Sequence, residues 1–102
     1  MMALSEQQIE HYTDELRTAW NQWDPLGVEP GVGDGPLDEY DAYLGTTLAL
    51  LVDGKPLDEV TEFLNFVIVD QMEIEDEYIA ELQPEKFAQQ LMAWFAAQQG
   101  AA

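Results

Sequence analysis

Apolar residues recur every three or four positions through most of the chain, a pattern typical of helices that bury one face. The stripes fall within residues 5–23, 37–52, 57–69, 73–82 and from 84 onward. Their members, in chain order, are Ile9, Tyr12, Leu16, Trp20, Trp23, Leu37, Tyr40, Leu44, Leu48, Leu51, Leu57, Val60, Phe63, Leu64, Val67, Ile68, Ile74, Tyr78, Ile79, Leu82, Phe87, Leu91, Trp94 and Phe95. We predict an all-α fold, a compact antiparallel bundle of four to five helices in one domain over residues 1–102.

Local signals set several helix boundaries. Ser5 with Gln8 three residues later predicts a capping box at the first helix. Asp24 precedes Pro25 and is therefore expected to leave the α region, which ends that helix at Trp23. The β-branched run at residues 66–69 also suits a strand, but the length and spacing upstream favour a helix.

The charge balance limits the possible partners. The 102 residues include twenty-one acidic and three basic side chains, for a formal charge of −18, while 47% of residues are apolar and supply a core. The negative charges of nucleic acid and of anionic membranes would repel so acidic a protein. We therefore expect no direct nucleic-acid binding and no membrane association. Cysteine is absent, which excludes disulfides and thiol chemistry.

The amino-terminal residues lack the basic start and apolar run of a signal peptide. The apolar runs, residues 48–52 among them, are all far shorter than the roughly 20 residues that span a bilayer. We therefore expect a soluble, cytoplasmic protein.

Recognisable catalytic patterns are missing from the sequence. His11 is the single imidazole and has no nucleophile signature near it. The glycine-rich residues 31–35 lack the Gly-Lys-Ser/Thr ending of a phosphate loop and are expected to form a flexible turn. We expect no enzymatic activity, no cofactor and no metal site.

Acidic residues are dense between positions 70 and 85, where seven acids occur without a base. On a continuous helix their axial spacing matches the phosphates of one DNA strand, and Glu73, Glu77 and Glu81 share a face. Each like-charge pair at this spacing lowers helix stability by about 0.2–0.5 kcal/mol. Selection for folding alone would therefore not favour this arrangement. We predict a partner-binding site at Glu73, Asp76, Glu77 and Glu81, although a merely solubilising surface is the simpler alternative.

A second acidic patch is predicted on the second helix. Tyr43 lies off the apolar stripe, on the side of Glu39, and tyrosine is enriched at interfaces. The predicted patch consists of Asp38, Glu39, Asp41 and an exposed Tyr43.

Two sequence blocks carry a family resemblance. Trp23-Asp24-Pro25-Leu26-Gly27-Val28 is followed, after a loop, by Asp38-Glu39-Tyr40-Asp41-Ala42-Tyr43. The pair resembles a family of small, uncharacterised bacterial helical proteins with a Trp-Asp-Pro-x-Gly segment and a downstream Glu-Tyr-Asp. The resemblance spans about a third of the chain, implies an immunity or accessory role at toxin loci, and supplies no catalytic residues. Read physically, Asp24 is expected to accept backbone hydrogen bonds from its turn, with Tyr40 packed at the start of the second helix.

Three functions fit these observations. The first is a non-enzymatic acidic binding protein that neutralises a basic partner such as a toxin or nuclease. The second is a nucleic-acid mimic that inhibits a defence or repair enzyme. The third is a structural module in which the carboxyl-terminal helix forms a homodimer through Leu91, Met92 and Trp94.

Overall fold

A computed structural model describes residues 4–29, 31, 33, 35 and 37–100. Over these residues the chain is all-helical and has no strand, which confirms the predicted fold class. The helices are α1 (Glu6–Trp23), α2 (Asp41–Val52), α3 (Leu57–Phe66), α4 (Asp76–Leu82) and α5 (Pro84–Gly100), and a π-helical turn, Val67–Gln71, follows α3. No helix in the described part of the chain is long and apolar enough to span a bilayer.

The chain forms two compact units, Met1–Asp53 and Gly54–Ala102. In the first unit α1 packs on α2, and in the second α3 packs on α5 and on the π-helical turn. The single domain inferred from chain length stays a prediction. Several residues of the glycine-rich loop, Pro30, Val32, Asp34 and Pro36, lie outside the described residues, as does the amino-terminal segment 1–3.

Helix α1 begins and ends where the sequence predicts. The Ser5 hydroxyl accepts from the Gln8 N–H, and the Gln8 side chain accepts from the Ser5 N–H, which is the predicted capping box. Tyr12, Leu16 and Trp20 are buried, whereas Ile9 is 43% exposed and lies outside the core. The helix ends at Trp23, as predicted, and Asp24 leaves the right-handed α region for the left-handed one, φ 47°.

Helix α2 begins at Asp41, four residues later than predicted. Residues 37–40 form a turn in which the Asp41 N–H donates to the Asp38 carbonyl. Leu37 is 61% exposed rather than part of the core stripe, whereas Tyr40, Leu44, Leu48 and Leu51 are buried. Tyr40 stands immediately before α2, and its hydroxyl is hydrogen-bonded to the loop after α1.

The β-branched run after α3 is helical, as predicted, but wound as a π-helix. The Met72 N–H donates to the Val67 carbonyl at 2.8 Å, five residues back. The wider turn buries Val67 and Ile68 completely while Phe66 and Val69 remain 48% and 41% exposed. The core of the second unit is completed by Val60, Leu64, Phe87, Ala88, Leu91 and Phe95.

Helix α4 starts at Asp76 rather than at Glu73, and none of its residues is buried. Glu73 lies before the helix in the left-handed region, φ 53°, and the Ile74 N–H donates back to the Ile68 carbonyl. Tyr78 is 52% exposed, so the prediction that it points into the core is wrong. The left-handed Glu73 separates the π-helical turn from α4, so residues 70–85 do not form the continuous helix on which their charge spacing was compared with DNA.

Candidate functional site

The loop after α1 is organised around the Asp24 carboxylate. Its Oδ1 accepts from the Val28 N–H at 3.0 Å, and its Oδ2 accepts from the Glu29 N–H at 3.0 Å. The Asp24 carbonyl also accepts from the Gly27 N–H. Asp24 therefore satisfies the donors of the turn, as predicted from the Trp-Asp-Pro-x-Gly segment, and tolerates the left-handed backbone because aspartate is one of few residues that adopt it readily.

Tyr40 connects this loop to the start of α2. Its hydroxyl donates to Asp24 Oδ1 at 2.6 Å and accepts from the Leu26 N–H at 3.1 Å. Burial, with the hydrogen bond to Asp24 next in importance, raises the pKa of the Tyr40 hydroxyl well above its ordinary value. The two blocks of the family resemblance thus meet in one hydrogen-bonded lock, formed by Asp24, Tyr40 and the backbone of residues 26–29, which we call the loop lock.

A cluster of aromatic rings lies next to the loop lock. The fully buried Trp20 ring lies 5.8 Å from Tyr40, 5.3 Å from Trp23 and, nearly parallel, 5.5 Å from Tyr43, measured between ring centroids. The indole N–H donates to Thr47 Oγ1, whose own hydroxyl donates to the Tyr43 carbonyl. Tyr43 is half-buried against Trp20, so its predicted full exposure is wrong.

The second predicted patch is weakened by an internal ion pair. Asp38 and Glu39 are exposed in the turn before α2. Asp41, in contrast, accepts from Arg17 Nε at 2.8 Å and from Arg17 Nη2 at 3.3 Å, and Asp14 pairs with the same guanidinium. The hydrogen bond with Asp41 raises the pKa of Arg17. The structure therefore leaves Asp38 and Glu39 as the two carboxylates of this patch that do not share Arg17.

The strongest concentration of outward-facing charge lies in the second unit. We define the acidic segment as its seven carboxylates Asp70, Glu73, Glu75, Asp76, Glu77, Glu81 and Glu85. All seven are exposed, and none forms an ion pair with a residue that the structure describes. Because neither a base nor burial engages them, their negative potential is available to another molecule.

The predicted site residues of the acidic segment do not share one helical face. Asp76, Glu77 and Glu81 belong to α4, where Glu77 and Glu81 are four residues apart on one side. Glu73 lies outside the helix, so the predicted ladder of three glutamates is wrong. The segment instead passes from a π-helical turn, through a left-handed residue, to a short α-helix and to the start of α5.

Sequence reasoning missed an apolar strip beside these acids. Phe66 and Val69 are both largely exposed, and Glu62 and Asp70, each about one turn from Phe66, are exposed as well. We call these four residues the α3 face. The signal was detectable, since the predicted apolar stripe includes Val67 and Ile68 but neither Phe66 nor Val69.

A cleft of about 720 Å³ lies between α3, α4 and α5. Its lining includes the side chains of Asn65, Gln83, Lys86 and Gln89, and the buried Thr61 hydroxyl has no hydrogen-bond partner there. The described lining holds neither an imidazole nor a thiol. It offers amide and hydroxyl groups together with the Glu85 carboxylate and the Lys86 ammonium.

Possible metal and dimer sites are also constrained. Among the described residues no group of three or more acidic or histidine side chains is arranged to hold a metal ion. In α5, Leu91 is only 1% exposed, so it belongs to the core and cannot anchor a dimer without unfolding. Met92 and Trp94 are half-buried, and the Trp94 ring lies 6.2 Å from Phe95.

A comparison with protein-family models finds no match for the chain, and searches of curated proteins and of solved structures find no match either. The functional interpretation therefore depends on the geometry of the two units.

Proposed function

We propose that the protein is a non-enzymatic acidic binding protein that neutralises a basic partner, such as a toxin or nuclease, in the cytoplasm. The acidic segment is the principal contact, with Glu73, Asp76, Glu77 and Glu81 as its centre. Asp38, Glu39, Asp41 and Tyr43 form a secondary contact. Carboxylates of the segment would pair with lysine and arginine side chains of the partner. This attraction would speed association and would block the positively charged cleft in which the partner binds its substrate. The immunity role implied by the family resemblance is part of this proposal.

The observation that carries the proposal is the unpaired state of the acidic segment. Elsewhere two of the three lysine and arginine side chains pair with carboxylates, since Arg17 holds Asp14 and Asp41, and Lys55 lies 3.9 Å from Glu59. In the segment, seven exposed carboxylates stand close together along the chain with no such compensation. This arrangement is unfavourable for folding and favourable for attracting a cation.

Nucleic-acid mimicry is the less favoured alternative. The accessible surface of 6435 Å², divided among eighteen net negative charges, gives about 360 Å² per charge. A B-DNA cylinder about 20 Å wide has one charge per roughly 107 Å². The phosphate-like spacing expected for residues 70–85 also required a continuous helix, and the left-handed Glu73 interrupts it. The observation that had favoured mimicry is therefore lost.

Charge-matched variants test where a basic ligand binds. One variant neutralises Glu73, Asp76, Glu77 and Glu81 with glutamine or asparagine; the control neutralises Glu6, Glu10, Glu29 and Asp53, which are also exposed. The probe is a short polylysine peptide, titrated calorimetrically at low ionic strength. We expect the first variant to lose about tenfold in affinity, since four exposed charge pairs contribute roughly 0.2–1 kcal/mol each.

Equal losses in the two variants would contradict a localised binding site and support a solubilising role for the acids. Salt is the second arm of the test. The affinity of the wild type should fall steeply as ionic strength rises, because exposed charges are screened. An affinity unaffected by salt would argue against electrostatic recognition of the probe.

The immunity role has its own test. The basic protein encoded beside this chain, if one is present, is expressed in a host whose growth it arrests, with and without this protein. We expect co-expression to restore growth, and the neutralised acidic-segment variant to restore it less well than its charge-matched control. No rescue by the wild-type protein would contradict this role.

A further inference from the structure

The exposed surface of α3 combines apolar and acidic side chains in a way that the charge argument does not use. Phe66 is 48% exposed and Val69 is 41% exposed, although the two residues between them are fully buried. Val67 and Ile68 continue the buried stripe of Val60 and Leu64, and their neighbours Phe66 and Val69 lie outside it. Single exposed apolar residues are ordinary, but two within three residues of each other add up to more exposed apolar surface than one alone.

Carboxylates border this strip. Glu62 precedes Phe66 by one turn, and Asp70 follows Val69 directly; both are exposed. The sequence has no lysine, arginine or histidine from residue 56 to residue 85. The charged residues next to Phe66 and Val69 along the chain are therefore all acidic, which is complementary to a helix that carries apolar side chains on one side and basic residues around them.

Charge also excludes two other occupants of the α3 face. A second copy of the chain would bring Glu62 and Asp70 near the carboxylates of an equally acidic unit. An anionic lipid surface would be repelled for the same reason. Lysine and arginine, in contrast, can cover the strip with their aliphatic stems while their charged ends reach the carboxylates.

We propose that the α3 face, Glu62, Phe66, Val69 and Asp70, docks a basic amphipathic helix of the partner. Phe66 and Val69 receive its apolar side, and Glu62 and Asp70 pair with the flanking bases. This inference rests on the proposed function, since it specifies how the basic partner is recognised. The α3 face would therefore select a partner helix by the arrangement of its apolar residues as well as by its positive charge.

The test compares two synthetic peptides of identical composition. Both contain leucine and lysine and have about 14 residues, a helix of roughly 21 Å. In the first peptide the leucines recur at three- and four-residue spacing; in the second they are distributed around the helix. We expect the first to bind the wild-type protein about ten times more tightly. Replacing Phe66 and Val69 by alanine should bring this ratio close to one while leaving the affinity of the second peptide nearly unchanged.

A matched control is Ile9→Ala, which removes a 43% exposed apolar side chain from α1. This variant should keep the tenfold ratio, and thermal melts establish that all variants fold. A ratio near one in the wild type, or a ratio that persists in the Phe66→Ala, Val69→Ala double variant, overturns the docking inference while salt-dependent binding of both peptides still supports the proposed function. If neither peptide binds at low salt, the proposed function fails together with the inference.

Discussion

The two units contain nearly the same number of acidic residues but use them differently. Met1–Asp53 has eleven acidic residues and Gly54–Ala102 has ten. In the first unit Asp24 organises a loop, and Asp14 and Asp41 share Arg17. In the second unit the seven carboxylates of the acidic segment form no ion pair with any described residue. Net charge therefore does not identify a binding surface; the units differ in how many of their described carboxylates already have a partner, which is more in the first unit than in the second.

The comparison predicts its largest stability effect at the loop lock. Asp24→Ala removes the acceptor for two backbone N–H groups and for the Tyr40 hydroxyl. We expect the free energy of unfolding to fall by about 3 kcal/mol, because hydrogen bonds to a charged group are among the stronger ones. Urea unfolding followed by tryptophan fluorescence measures it.

The control for this variant lies in the other unit. Glu77→Ala removes an exposed carboxylate of the acidic segment and should change the free energy of unfolding by less than about 0.5 kcal/mol. If the two substitutions had equal effects, the distinction between engaged and available carboxylates would be wrong.

A smaller loss of stability is expected when Tyr40, the other side chain of the loop lock, is changed. Tyr40→Phe deletes the hydroxyl that donates to Asp24 and accepts from the Leu26 N–H. The free energy of unfolding should decrease by about 1–2 kcal/mol, measured in the same urea experiment. Tyr78→Phe, at a half-exposed tyrosine of the second unit, should leave the free energy of unfolding almost unchanged. A loss comparable to that of Tyr40→Phe would contradict the stabilising role given to the Tyr40 hydroxyl.

The loop lock also predicts a pH dependence. Burial and the bond to Asp24 raise the pKa of Tyr40 in the folded state, whereas an unfolded tyrosine titrates near about 10. The stabilisation is therefore complete below about pH 10 and is lost as pH rises toward the folded-state pKa. The stability difference between wild type and Tyr40→Phe should narrow by about 1 kcal/mol between roughly pH 9.5 and 11. A difference that is constant over this range would show that Tyr40 does not titrate as inferred.

The smallest effect, of opposite sign, belongs to α4. Glu81→Lys converts a repulsive pair with Glu77 into a favourable glutamate–lysine pair four residues apart. The free energy of unfolding should increase by about 0.5 kcal/mol, with roughly half that gain for Glu81→Gln, while polylysine binding weakens. Decreased stability in both variants would show that these acids support folding.

The sequence allowed much of the fold to be predicted where local signals decide the structure. The capping box of Ser5 and the stripe through Tyr12, Leu16 and Trp20 are local, and α1 was predicted almost to the residue. The start of α2 was missed because it depends on Tyr40, whose hydroxyl bonds to Asp24, sixteen residues away.

The candidate site was predicted less well because backbone conformation decides it. Glu73 adopts the left-handed region although it is not a glycine, so no helix break was visible in the sequence and the predicted glutamate ladder is wrong. Phe66 is absent from the predicted apolar stripe, but its exposed fraction of 48% comes only from the structure. The acidic segment itself was found from composition alone, since seven acids without a base need no fold to be noticed.

The most direct test is an NMR titration of the wild-type protein with the polylysine peptide, with backbone amide shifts recorded at low ionic strength. We expect the largest shifts at residues 70–85, with much smaller ones at the equally exposed Glu6 and Glu10 of α1. Shifts distributed over both units in proportion to their acidic residues would show that no surface has been set aside for a cationic partner.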